Sequence, residues 1–251
     1  MTQAKTVGKY VGGNAGMYDA YTGETTFSAA ALFFEDDFVG GGHTAGVPAA
    51  GSPVAGYSWV KKIVGAGPPT VAAVSNAIGG QMACTLLANS EKEDAALYMN
   101  DNLAFDVTKG LVWEARAALT VLPSAAGAQM VMGISSAWTD GPDNASYYLE
   151  FGAKANGNIT MRSQDGVTQN EIATGVTLVA GVFHVFKIDA TDPTNVGFYI
   201  DGIQYNTQGQ ISFAATGTNA VLQGYASMYK ASGTAVGTLT LDNMQIRGNR
   251  Q

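Results

Sequence analysis

One cysteine, two histidines and 13 basic residues in a chain of 251 leave much chemistry out of reach. Cys84 has no second cysteine, so an intrachain disulfide and a cysteine-rich zinc site are both excluded. It sits in the apolar run 82–87 and reads as a small buried hydrophobe. His43 and His184 give no paired spacing for a metal. No Gly-x-Ser-x-Gly turn is present to carry a Ser-His-Asp site, and no Gly-x-x-x-x-Gly-Lys loop to cradle phosphate. No cofactor is expected. Lys and Arg gather no further than the pair Lys61–Lys62, so nucleic-acid binding by phosphate neutralisation is not expected. The net charge of −7 favours solubility and gives no attraction to an anionic membrane. No stretch approaches the roughly 20 apolar residues of a membrane span. The start, MTQAKTVGKY, lacks the apolar core of a signal peptide, so a product made in a cytoplasm and not exported by an N-terminal signal is expected.

Charged residues make up only 13% of the chain, while hydrophobic ones reach 46% and glycine occurs 32 times. Typical soluble domains carry about 25% charge. Helical bundles need charged outer faces, and disordered chains lack this much hydrophobic content. What remains is a β-rich globular chain. Its length suits one large sandwich and gives ample core without disulfide or metal.

Residues 1–28 differ from the rest. They are glycine-rich, show no persistent helical or strand period, and carry Tyr10, Tyr18, Tyr21 and Phe27. A loose tail is the ordinary reading of a terminus, but solvated tails are poor in aromatics. The preferred expectation is an extended arm that lays these four aromatics on another surface, its own domain or a neighbouring subunit.

Residues 29–251 read as one domain of short strands. Expected strands are 32–38, 57–64, 81–87, 95–99, 111–121, 130–135, 147–151, 159–163, 171–174, 183–189, 196–200, 203–206, 221–229 and 238–247. A long Gly/Pro/Ala loop follows the first. The cluster 89–94 (Asn-Ser-Glu-Lys-Glu-Asp) reads as a solvated turn. In 111–121 helix propensity competes, but period two is clean: Leu111, Trp113, Ala115, Ala117 and Leu119 share one face. Asn156-Gly157, Asp165-Gly166 and Asp201-Gly202 read as tight hairpin turns. This spacing of strands indicates a sandwich or barrel, and without an internal repeat a propeller or solenoid is disfavoured.

Three segments carry a resemblance. Phe183-His-Val-Phe-Lys-Ile-Asp189 is followed by Gly197-Phe-Tyr-Ile-Asp-Gly202, and the chain closes on Gly237-Thr-Leu-Thr-Leu-Asp-Asn-Met-Gln-Ile-Arg247. Over about residues 30–250 the chain resembles the concanavalin A-like, laminin-G-like jelly-roll superfamily. The resemblance implies an all-β sandwich of two antiparallel sheets behind the arm. Within that group the Ala/Gly/Thr-rich composition and the arm look most like structural proteins of tailed bacteriophages. What this implies is a non-enzymatic virion protein, a capsid decoration (cement) or head-fibre component. It would be homo-oligomeric, anchored through the arm to the major capsid or another virion protein. The alternative is a carbohydrate- or receptor-binding, lectin-like adsorption module.

Glycosidases on this fold place paired carboxylates along one strand, and retaining chemistry needs carboxyl groups about 5–5.5 Å apart. Here Glu35-Asp36-Asp37 is contiguous, so neighbours alternate faces. Glu35 and Asp37 share a face, but the flanking phenylalanines suit a structural strand end. His184 reads as a packed strand residue. The candidate ligand-binding segment is the loop 135–146, with Trp138, Asp140, Asp143 and Asn144. Its oxygens are of the type calcium prefers, although Asp-Gly-Pro is also ordinary turn chemistry, and no metal is assigned. Trp138, set among turn residues, is a candidate to stack on a sugar ring. Trp59 and Trp113 sit in apolar strands and read as core.

Overall fold

The computed structural model describes residues 6–11, 14–19, 25–27, 31–39, 47–51, 58–124, 127–205 and 209–249, with side chains described from Leu32 onward. Three strands open the chain: β1 (Thr6–Val11), β2 (Asn14–Asp19) and β3 (Thr25–Phe27). They form an antiparallel meander that pairs with no other strand among the described residues. The absence of a strand period in 1–28 was therefore misleading. Glycine-spaced segments pair here through backbone groups, without an alternating pattern to announce them.

The rest is a two-layer sandwich. The first sheet contains β4 (Ala31–Asp36), β6 (Thr70–Ala73), β7 (Met82–Thr85), β10 (Leu111–Val121), β15 (His184–Ala190), β16 (Gly197–Ile200), β17 (Ile203–Gln204) and β19 (Thr238–Asn249). Its order is β17-β16-β15-β10-β19-β7-β6, with β4 also on β19. The second contains β5 (Val60–Val64), β8 (Glu93–Tyr98), β9 (Phe105–Asp106), β11 (Ala128–Ser135), β12 (Tyr147–Lys154), β13 (Asn158–Asp165), β14 (Gln169–Thr177) and β18 (Val221–Lys230). Its order is β14-β13-β12-β11-β18-β8-β5, with β9 on β18. Every strand pairing is antiparallel. This is the concanavalin A-like jelly-roll sandwich.

Alternation builds the core. Strand β10 spans the predicted residues, and Trp113, Ala115, Ala117 and Leu119 point inward with no exposure. They meet Met130, Met132 and Ile134 of β11 and Leu149 and Phe151 of β12 in one continuous cluster. The Phe151 ring takes Phe186 and Phe198 edge-on, each at 5.1 Å, a preferred arrangement for aromatic pairs. Trp59, Trp113 and Cys84 are buried, as expected. Asp201-Gly202 is a two-residue hairpin turn between the paired Ile200 and Ile203, with both residues at positive φ, 51° and 79°. Asn156-Gly157, at 66° and 73°, closes a three-residue loop, since Lys154 pairs with Asn158. That is the backbone which Asn/Asp-Gly favours.

Three expectations need correction. Asp165-Gly166 is not the central pair of its turn. Gln164 pairs with Gln169 and Asp165 N–H donates to Thr168 O at 3.3 Å, so the two central residues are Gly166 and Val167, one position later. The Asp165 carboxylate accepts hydrogen bonds from Val167 and Thr168 N–H. Strand β6 went unread because four small residues after Pro68-Pro69 carry too little pattern. Most telling, Glu93 and Asp94 are not in a solvated turn but fully buried in β8. The partner of Glu93 is Lys230, buried at the end of β18, whose ammonium lies 3.4 Å from the carboxylate. Lys230 also donates to Leu87 O (2.5 Å), Asn89 O (2.7 Å) and Asn89 Oδ1 (3.1 Å). Residues 87–93 thus wrap a built-in cation, and paired charge makes the burial tolerable.

Candidate binding face on the second sheet

The second sheet turns one face to the core and the other outward. On its outer face stand Asp94, Ala96 and Tyr98 of β8, Tyr225 and Ser227 of β18, Val131 of β11, Tyr148 and Glu150 of β12, and Arg162 of β13. Cross-strand register places Glu150 opposite Arg162 and Tyr98 opposite Tyr225. Outward residues of a sandwich are normally wet, yet all of these are buried. What covers them is, in part, the loop 136–146.

The loop is pinned at several points. Trp138 N–H donates to Asp101 Oδ1 (2.7 Å), and its indole Nε1–H donates to Asp94 Oδ2 (3.0 Å). The half-buried ring rests on a small apolar cluster of Val60, Ala96, Tyr98, Val131 and Tyr225. The Lys62 ammonium sits 4.6 Å from the ring centroid. Gly141 lies on Tyr229: a Cβ there would stand 3.3 Å from the tyrosine Cζ and hydroxyl. Asp140 pairs with Lys92 at 2.5 Å, and the Asn144 amide donates to Asp140 O at 2.6 Å. Asp143 accepts from Arg162 Nη2 and, at 3.4 Å, from Gln129 Nε2. An open depression of about 260 Å³ flanks the loop, edged by Ser136, Thr139, Tyr147 and Asn219.

Beneath Asp143 the electrostatics are unusual. Arg162 and Glu150 are sealed, at 1% and 0% side-chain exposure, with Nη1 3.5 Å from Oε2. Neither oxygen of Glu150 receives a hydrogen bond of normal geometry, nor do Arg162 Nε and Nη1 make one. Burial pushes the Glu150 carboxyl up to about 8; Arg162 opposes the rise, Asp143 adds to it, and the neighbouring Ser135 hydroxyl softens it. Asp94 is raised to about 6, again chiefly by burial, although Ser227 and Trp138 hydrogen-bond to it. Burial also raises Tyr148, whose ring lies 5.1 Å from the Arg162 guanidinium. Gly152 makes the room: a Cβ there would come within 2.5 Å of Arg162 Cδ.

Of the residues singled out from sequence, Trp138, Asp140, Asp143 and Asn144 lie in this loop, and two, Trp138 and Asp143, reach the outer face through their side chains. Their oxygens do not converge on one point; Asp140 and Asp143 each meet a separate cation. Among the described residues no group of three or more His, Cys, Asp or Glu is arranged to hold a metal ion. Tyr10, Tyr18 and Phe27 lie on β1, β2 and β3, with side chains outside the described residues, as are all of Tyr21 and His43. Glu35 stands exposed on β4 near Asn243, whereas Asp36 accepts from the Trp59 indole at 2.9 Å. His184 Nδ1 lies 2.6 Å from Asp201 Oδ2 at a hairpin. Sequence reading missed Asp94, Glu150 and Arg162. A lone acid and a lone base at outward positions of neighbouring apolar strands were the available signal.

No family model and no curated protein matches the sequence. Solved structures do match in fold. A protein of unknown function, SO2946 from Shewanella oneidensis MR-1, has a TM-score of 0.60 at 15% identity, covering 89% of this chain and 88% of that one. The endo-β-1,4-glucuronan lyase of Trichoderma reesei has a TM-score of 0.56 at 14% identity, covering 87% and 95%. The carbohydrate recognition domain of Emp47p has a TM-score of 0.51 at 12% identity, covering 82% and 95%. The fold is thus one shared by carbohydrate-binding domains and polysaccharide-cleaving enzymes.

Proposed function

We propose that the protein is a non-enzymatic, lectin-like carbohydrate-binding module whose ligand meets the outer face of the second sheet at Trp138. The observation that carries this reading is the setting of that indole. Its edge is fixed by Asp94, the half-buried ring rests on an apolar cluster, and the Lys62 ammonium lies 4.6 Å from its centroid. A sugar ring stacks on such a platform by taking the place of the Lys62 head, with the hydroxyl, amide and carboxylate groups around the loop as hydrogen-bond partners. Two of the structures that share the fold are named for carbohydrate work. Binding is favoured over hydrolysis because the nearby carboxylates are engaged or sealed: Asp140 by Lys92, Asp143 by Arg162, Asp94 by Trp138 and Ser227, Glu150 by burial. A glycan array tests this. The wild type is expected to bind a defined set of glycans, and Trp138→Ala to lose them while its circular dichroism is unchanged. A wild type that binds no glycan removes the reading.

The expectation of a virion structural protein, a capsid decoration or head fibre, has one supporting observation. Strands β1–β3 form a sheet that joins neither layer of the sandwich among the described residues. An attachment segment would be built that way, and it is compatible with a glycan-binding sandwich carried on a phage particle. Removal of residues 1–28 is expected to leave a folded sandwich that no longer joins its assembly. Normal assembly of the truncated chain would refute it.

A further inference from the structure

We propose that Arg162 is a recognition site for the carboxylate of an acidic sugar, and that the Asp143 side chain occupies this site as an internal stand-in until a ligand carboxylate displaces it, with Trp138 staying in place. The inference rests on the glycan-binding reading and names the ligand class.

The argument starts from what Arg162 lacks. A guanidinium carries five N–H donors in a planar fork, matched to a carboxylate taken bidentately. In this buried position only Nη2 makes a hydrogen bond, to Asp143. Nε and Nη1 make none, and Glu150 faces Nη1 at 3.5 Å without bonding it. Unused buried donors are costly, so a fully structural arginine would have its fork filled. The carboxylate that fills part of it does not come from the sheet. It comes from a surface loop, on a side chain that is 49% exposed.

The geometry of the stand-in explains why it is partial. Asp143 hangs on a short side chain from a loop held by Trp138, Gly141 and Asp140. Its tether delivers one oxygen to Arg162 and the other to Gln129, at 3.4 Å. An untethered carboxylate reaches Nη2 and Nε together, and Gln129 remains to bond a ring oxygen or hydroxyl. The pocket floor is already shaped for this: Tyr148 lies under the guanidinium at 5.1 Å, and the missing side chain of Gly152 leaves space for Arg162 to lie flat. Charge balance is kept, since one carboxylate replaces another. Trp138 and Asp143 lie on the same loop, the first anchored to β8 and the second to β13, so an oligosaccharide stacked on the first can extend toward the second.

The test is a calorimetric titration with two matched probes, a tetrasaccharide of glucuronate and neutral cellotetraose. For the wild type, the acidic probe is expected to bind and the neutral one to bind at least tenfold more weakly. Asp143→Ala and Asp143→Asn remove the competing carboxylate from an exposed side chain. Both are expected to bind the acidic probe at least tenfold more tightly than the wild type, with no gain for the neutral probe. Arg162→Lys keeps the charge but not the fork, and is expected to erase the acidic preference. If Arg162→Lys fails to fold, the Asp143 variants decide alone. Unchanged or weaker acidic binding in both Asp143 variants overturns the proposal. So does an equal gain for both probes. A wild type that binds neutral glycans through Trp138 with no effect at Asp143 would sink this inference and leave the carbohydrate-binding reading standing. No binding of either probe by any variant sinks this inference, and the glycan array then decides the carbohydrate-binding reading.

Discussion

Raising the pH from 5 to 8.5 is expected to destabilise this protein, and Glu150 is the main cause. Its carboxyl rises from 4.5 to about 8 on folding. Above pH 4.5 the unfolded chain releases that proton, while the folded chain keeps it until about pH 8. The folded state therefore binds more protons across this window, and stability falls as pH rises through it. At about 1.4 kcal/mol per pH unit, the interval from 4.5 to about 8 amounts to about 5 kcal/mol. Asp94, raised from 3.8 to about 6, acts in the same direction at lower pH. Asp165, Asp189 and Asp201 are lowered and act oppositely, so stability is lost again below about pH 4, near the ordinary carboxylate values. For a chain of this size about 1 kcal/mol moves Tm by roughly 2–4 °C, so Tm is expected to fall by roughly 10–20 °C between pH 5 and pH 8.5. Differential scanning calorimetry at constant ionic strength reads this directly. Glu150→Gln imitates the protonated acid; it is expected to flatten the slope above pH 6 and to exceed the wild type in Tm at pH 8.5. A wild-type Tm that is level or rises from pH 6 to 8.5, or a Glu150→Gln variant with the wild-type slope, would refute the reasoning.

Two further substitutions probe the frame around the site. Lys230→Met leaves Glu93 buried without its cation and frees the carbonyls of Leu87 and Asn89. The expected loss is about 3–5 kcal/mol in urea unfolding, with partial recovery when Glu93→Leu is added. Gly152→Ala drives a methyl group to within 2.5 Å of Arg162 Cδ, in a strand where neither side chain has room to retreat. Overpacking of this kind costs about 1–3 kcal/mol, and a crystal structure of the variant should show the Arg162–Asp143 contact broken.

Much of the fold could be read from the residues because alternation and turn chemistry agreed. In β10 the inward set Trp113, Ala115, Ala117 and Leu119 outweighed the helix propensity of its Ala, Glu and Arg. At Asp201-Gly202 the turn needed two positive φ values and the sequence supplied them. Reading failed where a local signal pointed the wrong way. Glu93 and Asp94 stand in a charge-dense segment, so they looked solvated; the partners that bury them, Lys230, Ser227 and Trp138, lie far along the chain. The candidate loop was found from Trp138 and its Asp and Asn neighbours, but not what it covers. Glu150 and Arg162 take their character from each other and from the lid above them, and neither strand alone reveals that pairing.

The claim that matters most is that the Trp138 platform takes a sugar, and the three indole N–H signals of the protein test it most directly. Trp59 and Trp113 have no exposure and serve as internal references, whereas Trp138 stands half-buried with its N–H on Asp94. Two-dimensional NMR of the 15N-labelled wild type is followed during titration with the glucuronate tetrasaccharide. The account predicts a saturable shift of the Trp138 indole signal, with the Trp59 and Trp113 signals unmoved. Three indole signals that stay in place throughout the titration would contradict it.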